Sequence, residues 1–393
     1  MADDVIIASG TRTAIGDFGG ALSGVAPSAL AAAVAAEAIS RAGIGADAVQ
    51  QTVFGNVIHT EPRDMYLSRV AAIEAGVPDT APALTLNRLC GSGLQAVITA
   101  SEQIALGYAE VVLAGGAESM SRAGHLMSQA RNGVKMGDVK MLDMMLGALS
   151  DPFGNGHMGI TAENVARDEN IDRTAQDAYA LESHHRAGRA IHEGRFAGQI
   201  LPMIVRRGRE EINFKTDEHV RPNVTEDDLK KLRPAFTNDG SVTAGNASGI
   251  NDAAAALVLM SAARADREGT RSMARVVATG LSGIDPSRMG LGPVAAVAQA
   301  LDRAGLAVGD MDVIESNEAF AAQACAVSQR LGFPHDRTNP NGGAIALGHP
   351  IGASGAILLV KLIHELARIE GRYGLVTMCI GGGQGIAMII ERT

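Results

Sequence analysis

Apolar residues along this chain follow two patterns in a regular order, and that order predicts the architecture. Alanine-rich, helix-like stretches end at Arg41-Ala42-Gly43-Ile44 and again at Arg303-Ala304-Gly305-Leu306. Residues 94–106, 319–329 and 356–369 carry a helical pattern. Short apolar runs at 83–86, 111–114, 311–314 and 375–380 read as buried strands; the second leads to Gly115-Gly116 and the last to Gly381-Gly382-Gly383. The longest apolar runs, 29–36 and 253–260, are far too short to span a bilayer.

The same series occurs twice. Arg41 and Arg303 are separated by 262 residues, and so are Cys90-Gly91-Ser92-Gly93 and Gly352-Ala353-Ser354-Gly355. In both copies a Gly-Ser turn opens a helix, and the helix leads to an apolar strand that ends in glycines. An ordered series of matches points to duplication. A duplicated β/α half implies two parallel-stranded sheets with helices on their faces, related by an approximate two-fold axis. The segment between the halves, 121–247, has another texture. It holds 17 of the 34 Lys and Arg residues, five of the six lysines, and 18 acidic residues. We read it as an insertion: residues 1–120 form an N-terminal half completed by about 248–270, and 271–393 form the C-terminal half. Two basic clusters in the insertion, Arg206-Arg207-Gly208-Arg209 and Lys230-Lys231-Leu232-Arg233, fit either a phosphorylated ligand or a solvated face of mixed charge.

Composition narrows the function. The net charge of −9 argues against general nucleic-acid binding, which depends on clustered positive charge. Three cysteines, Cys90, Cys325 and Cys379, make no disulfide framework and match no zinc spacing, so no metal is expected. The acidic start Met1-Ala2-Asp3-Asp4 lacks the regions of a signal peptide. The expectation is a soluble, cytoplasmic protein that engages neither membrane nor nucleic acid.

Four places carry candidate chemistry. Cys90 precedes a Gly-rich turn and a helix, where unpaired N–H groups and the helix dipole stabilise a thiolate; its other reading is a small buried hydrophobe. His349 lies in Gly342-Gly343-Ala344-Ile345-Ala346-Leu347-Gly348-His349-Pro350, and histidine is the usual base for a thiol near neutral pH, although a structural loop histidine fits as well. Cys379 ends an apolar strand just before a glycine turn whose N–H groups can form an oxyanion hole; it also reads as a core strand residue. Asn317 follows another apolar run, as a site residue or a helix cap.

Taken together, Asn87-Arg88-Leu89-Cys90-Gly91-Ser92-Gly93, Asn317-Glu318-Ala319-Phe320, Gly348-His349-Pro350 and Cys379-Ile380-Gly381-Gly382-Gly383 resemble the four active-site blocks of thiolases. The resemblance runs from Arg12-Thr13 to the C-terminus. It implies a duplicated, layered αβαβα fold with an inserted loop domain that binds coenzyme A. It also implies that Cys90 accepts the acyl group and that His349 activates it. His349, with a water held by Asn317, would polarise a thioester carbonyl. Cys379 would shuttle protons, and the N–H groups of Cys90 and Gly381 would form a second oxyanion hole. By the same resemblance, coenzyme A would meet His157, Met158, Arg221, Phe236, Ala244 and Ser248, with Met289, Ala319 and Phe320 closing the acyl pocket. Acyl-CoA would be the substrate, with no permanently bound cofactor. The family implies a homotetramer, with the methionine-rich stretch near 120–145 as a contact loop or as ordinary core. Several relatives carry serine where this chain has Asp228, which puts the adenine contacts in doubt. Likeness to biosynthetic and broad-range β-ketothiolases makes acetoacetyl-CoA the leading substrate.

Two other enzyme classes share parts of this pattern. A β-ketoacyl synthase shares the fold but places a second histidine where Asn317 stands. A nicotinamide-dependent oxidoreductase would explain Gly91-Ser92-Gly93-Leu94-Gln95-Ala96 with Glu118 ending the next strand, a weak fingerprint. A non-catalytic acyl-CoA-binding relative is disfavoured by the four intact blocks.

Overall fold

A computed structural model of the chain describes residues 4–207 and 209–393. Among the described residues the main sheet has eleven strands, nine of them in one continuous path: β1 (Val5–Thr13), β2 (Gln51–Gly55), β3 (Ala83–Leu86), β4 (Val111–Ser119), β5 (Asn251–Ser261), β6 (Ala274–Gly283), β7 (Val313–Ser316), β8 (Tyr373–Ile380) and β9 (Gln384–Arg392). The helices that matter here are α1 (Pro27–Ala42), α2 (Ser92–Ala105), α3 (Met158–Asp168), α4 (Arg173–His192), α5 (Gly292–Ala304), α6 (Ala321–Leu331) and α7 (Ser354–Ile369). The helical and strand stretches read from the apolar pattern all fall on elements of the expected type.

The strand order is β7-β8-β9-β6-β1-β5-β4-β2-β3. It corrects the expectation of two parallel sheets. Only β7–β8, β4–β2 and β2–β3 run parallel; the five pairings between them are antiparallel. The physical reason is the tight Gly381–Gly383 turn between β8 and β9. A hairpin returns the chain antiparallel, whereas a parallel return needs a long crossover. Gly382 and Gly383 have φ of 80° and 84°, a conformation open to glycine at little cost. Buried strands are apolar on both faces, so their pattern carries no direction.

The duplication is visible in the sheet. β1, β2, β4 and β5 correspond to β6, β7, β8 and β9, and the two sets meet through a short β1–β6 pairing at Ile6 and Ile7. Where the second half turns through three glycines, the first half makes a long excursion over residues 120–250, which lays the short strand Ile200–Leu201 beside Arg12–Thr13 of β1 before β5 pairs with β4. A buried ion pair ties that excursion to β1: Arg12 donates to both carboxylate oxygens of Asp217 at 2.7 and 2.9 Å, with its guanidinium 5.1 Å from the centre of the Phe196 ring.

The layering is as expected. α1 covers one face of β1, β4 and β5, and α5 covers one face of β6, β8 and β9. α2 and α7 lie between the two half-sheets and against each other, so helix, sheet, helix pair, sheet and helix alternate. Glycine sets how closely the central pair packs. A Cβ on Gly93 would fall 2.8 Å from Ala356 N, and a Cβ on Gly355 would fall 2.4 Å from Leu94 N. These are the same contact seen from the two sides of the pseudo-two-fold axis.

Gly355→Ala is therefore expected to push the two helix starts apart. Overpacking of this kind costs about 1–3 kcal/mol, readable by denaturant melts, and it would shift the loops that carry Cys90 and His349, which open these helices. A variant with unchanged stability would contradict the close-contact reading.

Candidate active site

Cys90 stands on a turn between β3 and α2 that side chains stitch together. Leu89 N–H donates to Asn87 Oδ1 at 2.8 Å, Arg88 N–H donates to Ser92 Oγ at 2.8 Å, and Ser92 Oγ donates to Leu89 O at 2.7 Å. Leu89 is held at φ 45°, left-handed backbone that a branched side chain adopts only when its surroundings force it. Gly91 lets this turn close on β8, since a Cβ there would meet Ile380 Cδ1 at 2.5 Å. Two N–H groups bear on the Cys90 thiol and hold its pKa down against burial: its own and that of Gly381.

His349 comes from the second half. Its main-chain N–H donates to Asn251 Oδ1 at 2.9 Å, and Gly348 before it takes φ 110°. The imidazole Nδ1 lies 2.6 Å from Ser354 Oγ, and Ser354 Oγ donates to Pro350 O at 2.9 Å. With the hydroxyl proton committed to Pro350, Ser354 can only accept from the ring. The ring proton is thereby assigned to Nδ1, which leaves Nε2 basic. Asn317 faces that atom, with Nδ2 3.5 Å from Nε2, and is anchored by its N–H to Thr377 O at 2.9 Å. Burial pushes His349 down to about 4, so the imidazole is neutral near pH 7.

Cys379 lies on β8, buried among Met158, Met289, Ala319 and Phe320, with Phe236 and Ala247 at the edge of the cluster. Burial, and then the nearby Cys90, push its thiol well above the usual range. His157 stacks on Phe236 with ring centres 4.8 Å apart, and Phe236 meets Phe320 edge-on at 6.1 Å. Ser248 N–H donates to Ala319 O at 3.0 Å. Gly381 completes the wall, since a Cβ there would be 3.0 Å from Met158 Cε and 3.2 Å from Leu89 Cδ1. The two thiols lie within electrostatic reach beside an apolar wall, and the loop of His349 reaches them from the other half, with Ile351 packed in one cluster with Cys90 and Gly93 against Gly352–Ala356. Such a set can carry an acyl group and stabilise an oxyanion.

Comparison with known proteins agrees with this geometry. Residues 5–263 match the family profile "Thiolase, N-terminal domain" and residues 270–392 match "Thiolase, C-terminal domain". The chain is a thiolase. It is 59% identical to beta-ketothiolase BktB of Cupriavidus necator, over all of both chains. It is 48% identical to an acetyl-CoA acetyltransferase of Shinella zoogloeoides, again over all of both. Among solved structures, human mitochondrial 3-ketoacyl-CoA thiolase in complex with CoA superposes with a TM-score of 0.97 at 42% identity, covering 100% of this chain and 98% of that one. Thiolases are acyltransferases.

Several expectations change once the thiolase structure is in view. Cys90 is not a lowered-pKa thiol at a helix start. α2 begins at Ser92, and burial, outweighing both N–H donors, pushes Cys90 up to about 11. The dinucleotide fingerprint has no room to act, because backbone of the other half fills the space at Gly93 that a pyrophosphate would need. Glu118 is buried with its oxygens taken by four N–H donors, so it offers nothing to a ribose. Asp228 turns back to cap its own helix, accepting from Thr225 N–H and Oγ1, which keeps its carboxyl low.

The remaining residues named from sequence lie further out. Arg221 is exposed, with its main-chain N–H on His184 Nδ1 at 3.2 Å, and Ala244 is exposed. Of the basic clusters, Lys230 pairs with Glu226 and Lys231 with Asp228 on an exposed face, and Arg206 lies 3.8 Å from Glu211; Gly208 lies outside the described residues. The methionine stretch is split, with Met120 buried and Met136, Met141 and Met144 exposed. Ser354 and Asn251 were missed. Ser354 was visible five residues after His349, read only as part of a helix-opening turn.

The neutral imidazole has a kinetic consequence. Protonation of His349 removes the basic Nε2, so acyl transfer should keep its rate as pH falls through 6.5 and lose it only toward 4. Rapid acylation assays, with folding followed by circular dichroism over the same range, test this. An acid limb centred on 6.5 in folded protein would contradict a buried, neutral base.

Proposed function

We propose that this thiolase joins two acetyl-CoA molecules into acetoacetyl-CoA and CoA through an acyl-Cys90 intermediate, and runs the reverse thiolysis on short-chain or broad-range 3-ketoacyl-CoA. The observation that carries the reading is the pair of N–H groups, from Cys90 and Gly381, bearing on one thiol with the Cys379 thiol within electrostatic reach. The CoA complex of the human relative, at a TM-score of 0.97, supports an acyl-CoA substrate.

The chemistry balances with these residues. Nε2 of His349 takes the Cys90 proton as the sulfur attacks the acetyl carbon. The thioester bond to CoA breaks, and Cys379 protonates the departing thiolate. The Cys379 thiolate then removes an α-proton from the second acetyl-CoA. The enolate attacks acyl-Cys90, the carbon–sulfur bond breaks, and His349 returns its proton to Cys90. The protonated Nε2, with a water on Asn317, stabilises the enolate oxygen; the Cys90 and Gly381 N–H groups stabilise the tetrahedral oxyanion. The hard step is carbanion formation, and preorganised donors of this kind contribute several kcal/mol to such steps.

Coenzyme A would run past His157, Met158, Arg221, Phe236, Ala244 and Ser248, with Met289, Ala319 and Phe320 around the acyl group. The stacked His157–Phe236 pair and the apolar cluster at Cys379 support this path. The division into 1–120, 121–247 and 271–393, with about 248–270 completing the first half, is supported by the pairing of β4 with β5 across the excursion. A homotetramer is supported by the exposed apolar side chains Leu126, Met136, Met141, Leu142 and Leu146. Three free cysteines support a reducing, cytoplasmic setting.

Cys90→Ala should abolish both directions while leaving the fold intact. Acetyl-CoA should label the wild-type protein at Cys90 alone; peptide mapping that finds the acetyl group on Cys325 or Cys379 would overturn the assignment.

Cys379→Ser separates the two thiols by role. A hydroxyl is a far weaker acid than a thiol and so a poor proton shuttle at this position. The variant should still reach the acetyl-Cys90 state on mixing with acetyl-CoA, but condensation should fall roughly 10²–10⁴-fold, the usual range for a lost general base. Deuterium uptake at the α-carbon should fall with it. Equal loss of acylation and proton exchange would mean that Cys379 supports the nucleophile instead.

A further inference from the structure

Glu118 ends β4 with none of its surface exposed, and its two oxygens accept four N–H groups. Oε1 takes Asn56 Nδ2 and Ile58 N–H, both at 3.1 Å. Oε2 takes Val57 N–H at 3.1 Å and Gly352 N–H at 2.9 Å. Three donors belong to the loop after β2, in the half that carries Cys90. The fourth belongs to the turn between His349 and Ser354, in the other half. A single oxygen therefore bridges the two halves. The bridge depends on glycine: a Cβ on Gly352 would lie 2.5 Å from Oε2 and would close the approach. The turn it holds is the one whose Pro350 O fixes Ser354, and Ser354 fixes the imidazole.

An electrostatic role in activating the thiol has the wrong sign. The Glu118 charge disfavours a thiolate at Cys90, adding to the larger effect of burial. Glu118 is itself pushed up to about 8 by burial, against the pull of its N–H donors. The titratable groups that bear on the pair are Asp252 of β5 beside Glu118, and Cys379 of β8 beside Cys90, with the neutral His349 across the site. None is a cation that would call for a carboxylate here. The geometry, in contrast, gives Glu118 a clear task.

We propose that Glu118 is a positioning residue for acyl transfer: through Oε2 it locks the His349–Ser354 turn in register with the half that carries the nucleophile. The inference rests on Cys90 and His349 acting as nucleophile and base. Glu118→Gln turns one acceptor into an NH2 group, sets it against two N–H donors, and removes the charge. Misplacing the base by even 1 Å can cost on the order of 10²-fold in rate, so kcat should fall by about that factor while KM for acetyl-CoA changes by less than about threefold. Iodoacetamide should meanwhile alkylate Cys90 measurably faster at pH 9, because losing the Glu118 charge removes one contribution that raises the thiol and so increases the thiolate fraction. Loosening of the site would also quicken alkylation, because burial is what raises the Cys90 thiol, so the nearly unchanged KM and the Glu118→Asp variant are what distinguish positioning from destabilisation. Glu118→Asp keeps the charge but shortens the reach, so its alkylation profile should match the wild type while kcat still falls; it also serves if the Gln variant does not fold. Wild-type kcat in either variant would overturn the proposal, as would turnover and alkylation falling together with loss of helical signal. The wild-type acylation map keeps the two ideas apart. A label away from Cys90 sinks the functional reading, whereas a label on Cys90 with unaltered kcat in the variants sinks only the role of Glu118.

Discussion

Gly93 and Gly355 occupy equivalent positions in the two halves, and at each of them the backbone of the facing helix sits where a side chain would begin. The rest of the site depends on that approach. α2 and α7 each open immediately after a functional loop, so the distance between their starts sets the distance between thiol and base. Gly116 and Gly352 extend the same contact into β4, where a Cβ on Gly116 would meet Gly352 O at 2.3 Å. A chain of missing side chains therefore places two loops that come from opposite ends of the sequence. Interiors are packed as densely as crystals, so a single added methyl group here has no slack to absorb it.

That packing also explains the electrostatics. Bringing the loops together at the centre of the molecule removes them from water. Burial then pushes the thiols up and the imidazole down, and the outcome is a neutral thiol beside a neutral base rather than an ion pair. The N–H groups of Cys90 and Gly381 do not overcome this in the resting site. Their stabilisation grows only when negative charge develops during transfer, when low-dielectric surroundings make fixed donors most effective.

Local pattern made the elements and the duplication legible, because helix starts, glycine turns and apolar strands recur at one offset. Resemblance of four short blocks supplied the chemistry. Strand direction was not legible, since β4, β5 and β8 are buried on both faces and carry no alternation. The environment of Cys90 was misread for a related reason. A cysteine just before a helix suggests dipole stabilisation, but the depth of burial that reverses the balance is a tertiary property. Ser354 and Asn251 were missed because each acts by hydrogen-bonding one atom of His349, at a range only the folded chain defines. Asp228, which puts the adenine contacts in doubt on sequence, places Oδ2 in its own helix cap and faces Lys231 with Oδ1 at 3.6 Å, a use of the side chain that the sequence pattern did not show.

The duplicated fold is symmetric, but the chemistry is not, and the difference lies in two equivalent turns. Between β8 and β9 the chain reverses through Gly381–Gly383, which brings a bare N–H to bear on the Cys90 thiol. At the matching place between β4 and β5 that turn is replaced by residues 120–250, which bring Met158, Phe236 and Ala247 to the apolar cluster around Cys379. A tight turn offers a donor and little surface; a long excursion offers surface and stacked rings. Placing one of each about the same axis gives a site with an oxyanion donor on one side and an apolar wall on the other. Two identical turns would not offer the wall. The excursion therefore does more than enlarge the protein: it breaks the equivalence of the two halves where their loops come together.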